Sequence, residues 1–358
     1  MREMYPMFDL ISCGELLIDF VPTVSGVTLA EAPAFKKAPG GAPGNVAVGA
    51  ARLGQRVGFM GQVGDDEFGR LLADTLRADG VDTTGLRFSR AARTALAFVS
   101  LRADGEREFM FYRHPSADML WRPEDVDTAY AGQTRIFHFG SISLISEPSR
   151  SATLTAVAAA RAGGAIISYD PNLRLPLWPS AEEARAGLLL GWQHGEIIKV
   201  SEEELVFLSG STDDSTETSA SLRRERGSTE LAEVSVERSV EPLAEVLAEG
   251  ARRLWHNSLR LLVVTQGPRG SSYFTPSASG HVAGFKAKPV DTTGAGDGFV
   301  AGLLSGLLEC DLAWNEDDLR RALRLGNAVG ALTTQERGAI PALPTRAVVD
   351  AFLAGSGV

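Results

Sequence analysis

The segment best suited to chemistry is Asp291-Thr292-Thr293-Gly294-Ala295-Gly296-Asp297-Gly298-Phe299. An apolar run follows it: Val300, Ala301, Leu303, Leu304, Leu307 and Leu308. That run is apolar on most faces and predicts a buried helix. Gly294, Ala295 and Gly296 at its start leave backbone N–H groups free to converge on one point. The N-terminus of a helix adds about half a positive charge there. Together these features make an anion hole suited to a phosphoryl group in transfer. Asp297 stands at the mouth of that hole, where a carboxylate can accept the proton of an attacking hydroxyl. Taken alone, the same residues also describe a Gly-rich turn with Asp297 as its N-cap.

A second Gly-rich segment lies far upstream: Pro39-Gly40-Gly41-Ala42-Pro43-Gly44-Asn45-Val46-Ala47-Val48-Gly49. It too leads into a helical pattern. Adjacent glycines let a ligand lie against the backbone, and Asn45 brings both donors and acceptors. No Lys-Ser/Thr pair ends it, so it is not a Walker motif, and its spacing does not fit a dinucleotide fingerprint. A neutral polyhydroxyl ligand suits it better than a phosphate.

The elements that must hold these segments alternate. Leu10–Cys13, Val57–Met60, Ile136–Phe139, Ala165–Tyr169, Ile197–Val200 and Leu261–Thr265 read as strands. Asn45–Leu53, Glu67–Asp79, Ser149–Ala162 and Ala181–Leu190 read as helices. Such alternation predicts βαβ units and a mostly parallel sheet, whose ligands sit beyond the carboxyl ends of the strands. Two stretches break the rhythm, Ile18–Phe35 and Thr94–Arg113. The second reads as a hairpin turning at Asp104-Gly105. Both belong to a small separate sheet, with a lid over the ligand as its functional reading and a flap or dimer surface as the plain one.

Residues 211–242 differ again. From Ser211 to Glu245 there are nine acids against four arginines, about half of the chain's net charge of −10. With no Phe, Tyr or Trp, residues 211–242 predict a solvated, poorly ordered insertion. The boundaries that follow are 1–17, 38–92 and 115–358 for a large α/β domain, with 18–37 and 93–114 for the small β lid.

At 358 residues, 44% apolar and 22% charged, the chain has the makings of an ordinary globular protein. A net charge of −10 argues against a nucleic-acid surface. Cys13 and Cys310 have no metal-ligand spacing and read as reduced thiols, which suits a reducing cytosol. No stretch approaches the ~20 apolar residues of a membrane helix, and no leader pattern precedes the fold. The expectation is a cytoplasmic enzyme with no membrane or nucleic-acid partner.

The two Gly-rich segments together resemble the paired signatures of the ribokinase, or phosphofructokinase B, superfamily of carbohydrate kinases. Gly61-Gln-Val-Gly-Asp-Asp-Glu-Phe-Gly69, Lys199-Val-Ser-Glu-Glu-Glu204 and Thr265-Gln-Gly-Pro-Arg-Gly270 fit the same family. Four further stretches are similar to its fructokinase branch: Glu106 to Leu120, Phe139-Gly-Ser-Ile-Ser-Leu144, Asp170-Pro-Asn-Leu-Arg174 and Asn327 to Pro344. The likeness spans nearly the whole chain outside 211–242. It implies a ribokinase-like α/β fold, with a mostly parallel central sheet flanked by helices and a small β-sheet lid. It also implies ATP as co-substrate with Mg²⁺.

The resemblance also assigns roles. Asp297 is the base, and Gly294, Ala295 and Gly296 form the anion hole. Asp19, Gly40, Gly41 and Asn45 line the sugar, with Tyr112 and Arg113 reaching it from the lid and Arg174 serving sugar or phosphate. Lys199, Ser201, Glu204, Thr265, Gly267, Gly270 and Asn327 lie along the nucleotide. Glu204 orders Mg²⁺ through water, while Glu202 and Glu203 face solvent at a helix start. Asp291, Thr293 and the turn at Gly338 are where a K⁺ ion would sit. Gly298 and His114 depart from the usual Ser and Asn. The implied activity is transfer of phosphate from ATP to D-fructose, giving fructose 6-phosphate. Ribose or 2-keto-3-deoxygluconate are alternative acceptors, and a kinase-like subunit without activity is a reading of another class. ATP and a small sugar are the implied partners, with a homodimer formed through the lid.

Overall fold

Leu10, Ile11 and Cys13 are all fully buried. A strand apolar on both faces must be covered on both, and β1 (Phe8–Cys13) lies inside a large sheet. The computed structural model describes residues 7–24, 26–101, 107–210 and 240–356. Within them the chain order continues with β2 (Leu17–Pro22), β3 (Phe35–Gly40), β4 (Val57–Gly64), β5 (Leu86–Ser89), β6 (Ala95–Leu101) and β7 (Arg107–Tyr112). Then come β8 (Thr134–Gly140), β9 (Ile166–Asp170), β10 (Ile197–Ser201), β11 (Leu261–Thr265), β12 (Gly270–Phe274) and β13 (Ser279–Ala283).

The nine-stranded sheet runs β13-β12-β11-β10-β9-β8-β1-β4-β5. Its pairs are parallel from β5 across to β11, and antiparallel only at β11–β12 and β12–β13. One face packs Leu10, Phe59 and Val263 against the helices Ala42–Arg52 and Ala295–Glu309. The other packs Ile11, Phe139 and Val264 with Ala156 of the helix Ser149–Ala162 and Leu188 of the helix Ala181–Trp192. The strands and helices expected from sequence all appear, Leu261–Thr265 and Ser149–Ala162 with the expected ends and the others with an end shifted by up to four residues. Strands β5, β12 and β13 and the helix Glu316–Thr333 are additional.

The second sheet runs β3-β2-β6-β7. Its register puts Leu17, Asp19, Gly40, Ala97 and Phe111 on one face. Phe20, Phe35, Phe98 and Tyr112 share the opposite face, where Phe20 and Phe98 stack at 4.9 Å. Leu17 pairs with Gly40, so the small sheet reaches to residue 40 and begins at residue 17. The Asp104-Gly105 turn lies outside the described residues. So does the 211–242 insertion up to residue 239, after which the helix Val240–Leu254 begins.

The Ala295–Glu309 helix is buried from Asp297 to Leu308. It can be so close to its neighbours because small residues meet there. A Cβ on Gly302 would stand 2.8 Å from Gly326 Cα, and one on Gly49 would stand 2.7 Å from Ala301 Cβ. This tight contact brings the starts of two helices, far apart in sequence, to one point.

Candidate active site

That point lies beyond the carboxyl ends of β1, β9, β10 and β11, where ligands of parallel sheets bind. Gly294 caps the Ala295–Glu309 helix in a left-handed conformation, φ 77°. A side chain there would be strained and would also meet Ala339 Cβ at 2.7 Å. The helix therefore opens with unobstructed amides, as an anion hole requires. No side chain caps them.

Asp297 is buried in the first turn of that helix. Asn45 Nδ2, in the Ala42–Arg52 helix, donates to Asp297 Oδ2 at 2.7 Å. Burial pushes the Asp297 carboxyl above its ordinary value, against the Asn45 hydrogen bond and the charges of Lys199 and Arg174. Asn45 Oδ1 is buried and has no partner among the described residues. The amide thus holds the carboxylate with one end and keeps an acceptor open at the other.

Asp19 lies against the same glycine segment. A Cβ on Gly40 would come within 2.3 Å of Asp19 Oδ2, so only glycine leaves the carboxylate in place. Burial lifts Asp19 to about 7; Arg174 pulls it down, and Asp297 and Asp291 push it up. Asp19, Arg174 and Asp297 therefore share one electrostatic environment.

A buried ion pair forms the other wall. Lys199 Nζ donates to Asp170 Oδ2 at 3.0 Å, both side chains being under a tenth exposed. Burial works against the Lys199 charge, but Asp170 and Glu204 outweigh it and hold its pKa above the ordinary value. Asp170 is itself raised to about 6, chiefly by burial. Lys199 Nζ also reaches the anion hole, since a Cβ on Gly296 would stand 3.1 Å from it.

Glu204 closes a capping box with Ser201: Ser201 N donates to Glu204 Oε2 at 2.8 Å, and Glu204 N to Ser201 Oγ at 3.2 Å. Its other oxygen accepts Leu173 N at 2.6 Å. Glu203 is exposed. Glu202, expected to face solvent, is instead buried, accepting from Gln266 Nε2 at 3.0 Å and Arg269 Nη2 at 2.7 Å. A helix start rich in acid complements the macrodipole equally well with either face inward, so sequence did not separate the two.

Thr265 closes β11 beside Ser201, with its hydroxyl on Val200 O at 3.2 Å. Gly267 and Gly270 flank the turn that follows, both at positive φ. Asn327 is buried, its amide donating to Val282 O at 3.0 Å and Ala283 O at 3.3 Å. Asp291, Thr293 and Gly338 are drawn together: Asp291 Oδ1 accepts Thr293 N at 2.9 Å, and Oδ2 accepts Gly338 N at 3.0 Å.

Two residues expected at the sugar lie elsewhere. Tyr112 is on the face of the small sheet opposite Asp19 and is 58% exposed. Arg113 is turned inward onto Asp118. Asp170 and Glu15 belong to the site region and were not singled out from sequence. Each is a lone acid at a strand end, and its position after an apolar run was the only signal.

Metal fit follows from the donors. Among the described residues no group of three His, Cys, Asp or Glu side chains is arranged to grip a metal directly. Asp170 and Glu204 spend their oxygens on Lys199 and on backbone amides. Such a set fits a hard cation carried by nucleotide phosphates and reached through water. No described helix is long and apolar enough to cross a membrane.

Residues 7–346 match the pfkB family of carbohydrate kinases. The chain is 52% identical over 349 residues to probable fructokinase-7 of Arabidopsis thaliana, covering 97% of this chain and 93% of that protein. Among solved structures, the ATP-bound fructokinase of Xylella fastidiosa is 33% identical with a TM-score of 0.80, covering 98% and 99% of the two chains. The fructokinase of Vibrio cholerae O395, bound to fructose, ADP and calcium, is 34% identical with a TM-score of 0.78, covering 97% and 99%.

Proposed function

The chain belongs to the pfkB family of carbohydrate kinases, and on that premise we propose which of its residues do the work of an ATP-dependent fructokinase. The activity itself, phosphorylation of fructose by ATP, follows from relatives that are fructokinases over nearly their whole length. The residue roles below are our reading, and the Asn45–Asp297 hydrogen bond is the observation that carries it.

Fructose lies on the Gly40-Gly41 segment beneath the small sheet, which acts as a lid. Asp19 accepts hydrogen bonds from its hydroxyls, and the open Asn45 Oδ1 accepts another. Arg174, already coupled to Asp19 and Asp297, faces the junction of sugar and phosphate. ATP runs along the ends of β10 and β11, against Ser201, Thr265, Gly267, Gly270 and Asn327, with Lys199 and Glu204 at its phosphates.

Asp297 takes the proton of the 6-hydroxyl as its oxygen bonds to the γ-phosphorus. The bond to the β–γ bridging oxygen breaks, and ADP leaves. Amides of Gly294, Ala295 and Gly296 stabilise the charge spreading over the transferring group, with Lys199 beside them. Mg²⁺ on the ATP phosphates would neutralise part of that charge, with Glu204 reaching it through water. K⁺ would sit by Asp291, Thr293 and Gly338, supporting the turn behind the anion hole.

Cys13 and Cys310 are free, and a reducing cytoplasm is the compartment we propose. The aromatic outer face of the small sheet, with Met110 and Tyr112 exposed, is the surface we assign to a homodimer. The test is ADP release with fructose, ribose and 2-keto-3-deoxygluconate in turn. Fructose should give the highest kcat/KM, and a higher value for either rival would reassign the sugar.

A further inference from the structure

The chain crosses between the large and the small sheet four times, and three of these crossings meet at one buried charged cluster. Glu15 lies in the first, between β1 and β2. Its Oε1 accepts Ala42 N at 3.1 Å, in the second, where β3 hands over to the Ala42–Arg52 helix. Arg113 opens the fourth, at the end of β7. Its Nη2 donates to Asp118 Oδ2, whose other oxygen accepts the Ser116 hydroxyl. Glu15, Arg113 and Asp118 are 2%, 4% and 7% exposed. The third crossing, from β5 to β6, reaches the same loop, since Ala117 N donates to Arg93 O at 2.8 Å and Gln62 Nε2 to Ala117 O at 2.7 Å.

Two buried atoms of this cluster have no partner among the described residues: Glu15 Oε2, an acceptor, and Arg113 Nε, a donor. Burial raises the Glu15 carboxyl to about 7, and the Arg113 charge pulls it back toward ionisation. Unpaired buried polar atoms are costly, more so when charged. An arrangement that joins them is therefore favoured. Arg113 also lines a cavity of about 270 Å³ together with Phe111, His114, Met119, Ile142 and Leu177.

We infer that Glu15 and Arg113 form the hinge post of the lid. Glu15 is a positioning residue: one oxygen fixes the Ala42 amide of the sugar loop, and the other pairs with Arg113 Nε when the lid comes down. Lid position and sugar-loop position are thereby one variable. This rests on the proposed reading of Gly40, Gly41 and Asn45 as the sugar loop.

The experiment is a double-mutant cycle on the full chain, with Glu15→Gln, Arg113→Met and the pair, and Asn45→Ala as reference. Each single change should raise the fructose KM by about 10-fold, lower kcat, and raise ATP hydrolysis relative to sugar phosphorylation. The ATP KM should stay within about twofold, and the double variant should be no worse than either single one. Additive losses, or equal losses for ATP and fructose, would overturn the hinge. If Arg113→Met does not fold, Arg113→Lys replaces it, since it keeps the charge and removes Nε. If Asn45→Ala raises the fructose KM while Glu15→Gln leaves it unchanged, the hinge falls and the sugar loop stands. If Asn45→Ala leaves it unchanged, the sugar loop itself is misplaced.

Discussion

Asn45 Nδ2 and Asp297 Oδ2 meet at 2.7 Å although 252 positions separate them in the chain. The bond joins the starts of two helices, each preceded by glycines. It converts two local patterns into one site, which in the proposed reading has a sugar-facing amide on one side and a phosphate-facing helix end on the other. Gly49, where a Cβ would stand 2.7 Å from Ala301 Cβ, permits that approach.

Asp297→Asn keeps the shape of the side chain and removes its basicity. Turnover should fall by ~10²–10⁴, the usual worth of a general base. ATP binding, read by calorimetry, should be retained. Turnover within a few-fold of the parent would take the proton-accepting role away from Asp297.

Asn45→Ala removes a donor that lowers the Asp297 pKa, and leaves burial and Glu204 to raise it. The acidic limb of the kcat profile should therefore move to higher pH. On the plateau above that limb, the loss should show chiefly in the fructose KM. An acidic limb that stays put or moves to lower pH would mean that Asn45 does not tune the base.

How much of this was legible in the sequence follows from how local each pattern is. Gly294, Gly296 and Asp297 sit together, and glycines before an apolar helix have few physical purposes. The parallel strands were equally plain, because β-branched runs such as Leu261–Thr265 have no polar face. Asp170 and Glu15 were not, since a single acid acquires meaning only from Lys199 or Ala42 across the fold. Strands β12 and β13 together carry Gly or Ser at five of their ten positions and lack the apolar run that marks a strand. Tyr112 and Arg113 were read as neighbours with one task, but adjacent strand residues point to opposite faces.

Gly294→Ala tests the anion hole without touching a charge. The residue would hold φ 77° with a Cβ 2.7 Å from Ala339. Strain of that kind costs on the order of 1–3 kcal/mol. The helix start should shift, so kcat should drop by ~10²-fold or more, with a fall in Tm. Gly298→Ala is the control: it meets Thr333 Oγ1, a side-chain atom outside the hole, and should lower Tm more than kcat. Equal kinetic losses in the two variants would show that helix packing, and not the amides of the hole, sets the rate.

Asp19 carries a signed prediction for stability as well as binding. Its carboxyl is raised to about 7 in the fold, first by burial, from an ordinary 3.8. Between those two values the unfolded chain has released the proton while the folded one still holds it. The fold binds more protons, so stability falls as pH rises through this window and levels off above it. Asp19→Asn removes the titration. It should gain about 1–2 kcal/mol over the parent at pH 8 and little at pH 4. Sugar binding should run the other way, because the ionised carboxylate is the better acceptor. In the parent the fructose KM should fall as pH rises through about 7, while Asp19→Asn should show a KM at least ~10-fold higher that no longer depends on pH there. The ATP KM should stay level in both. Chemical denaturation at the two pH values and initial rates across the range measure both halves. A stabilising effect that is the same at pH 4 and pH 8 would remove the titration from Asp19, and an equal rise in both KM values would make it a structural carboxylate.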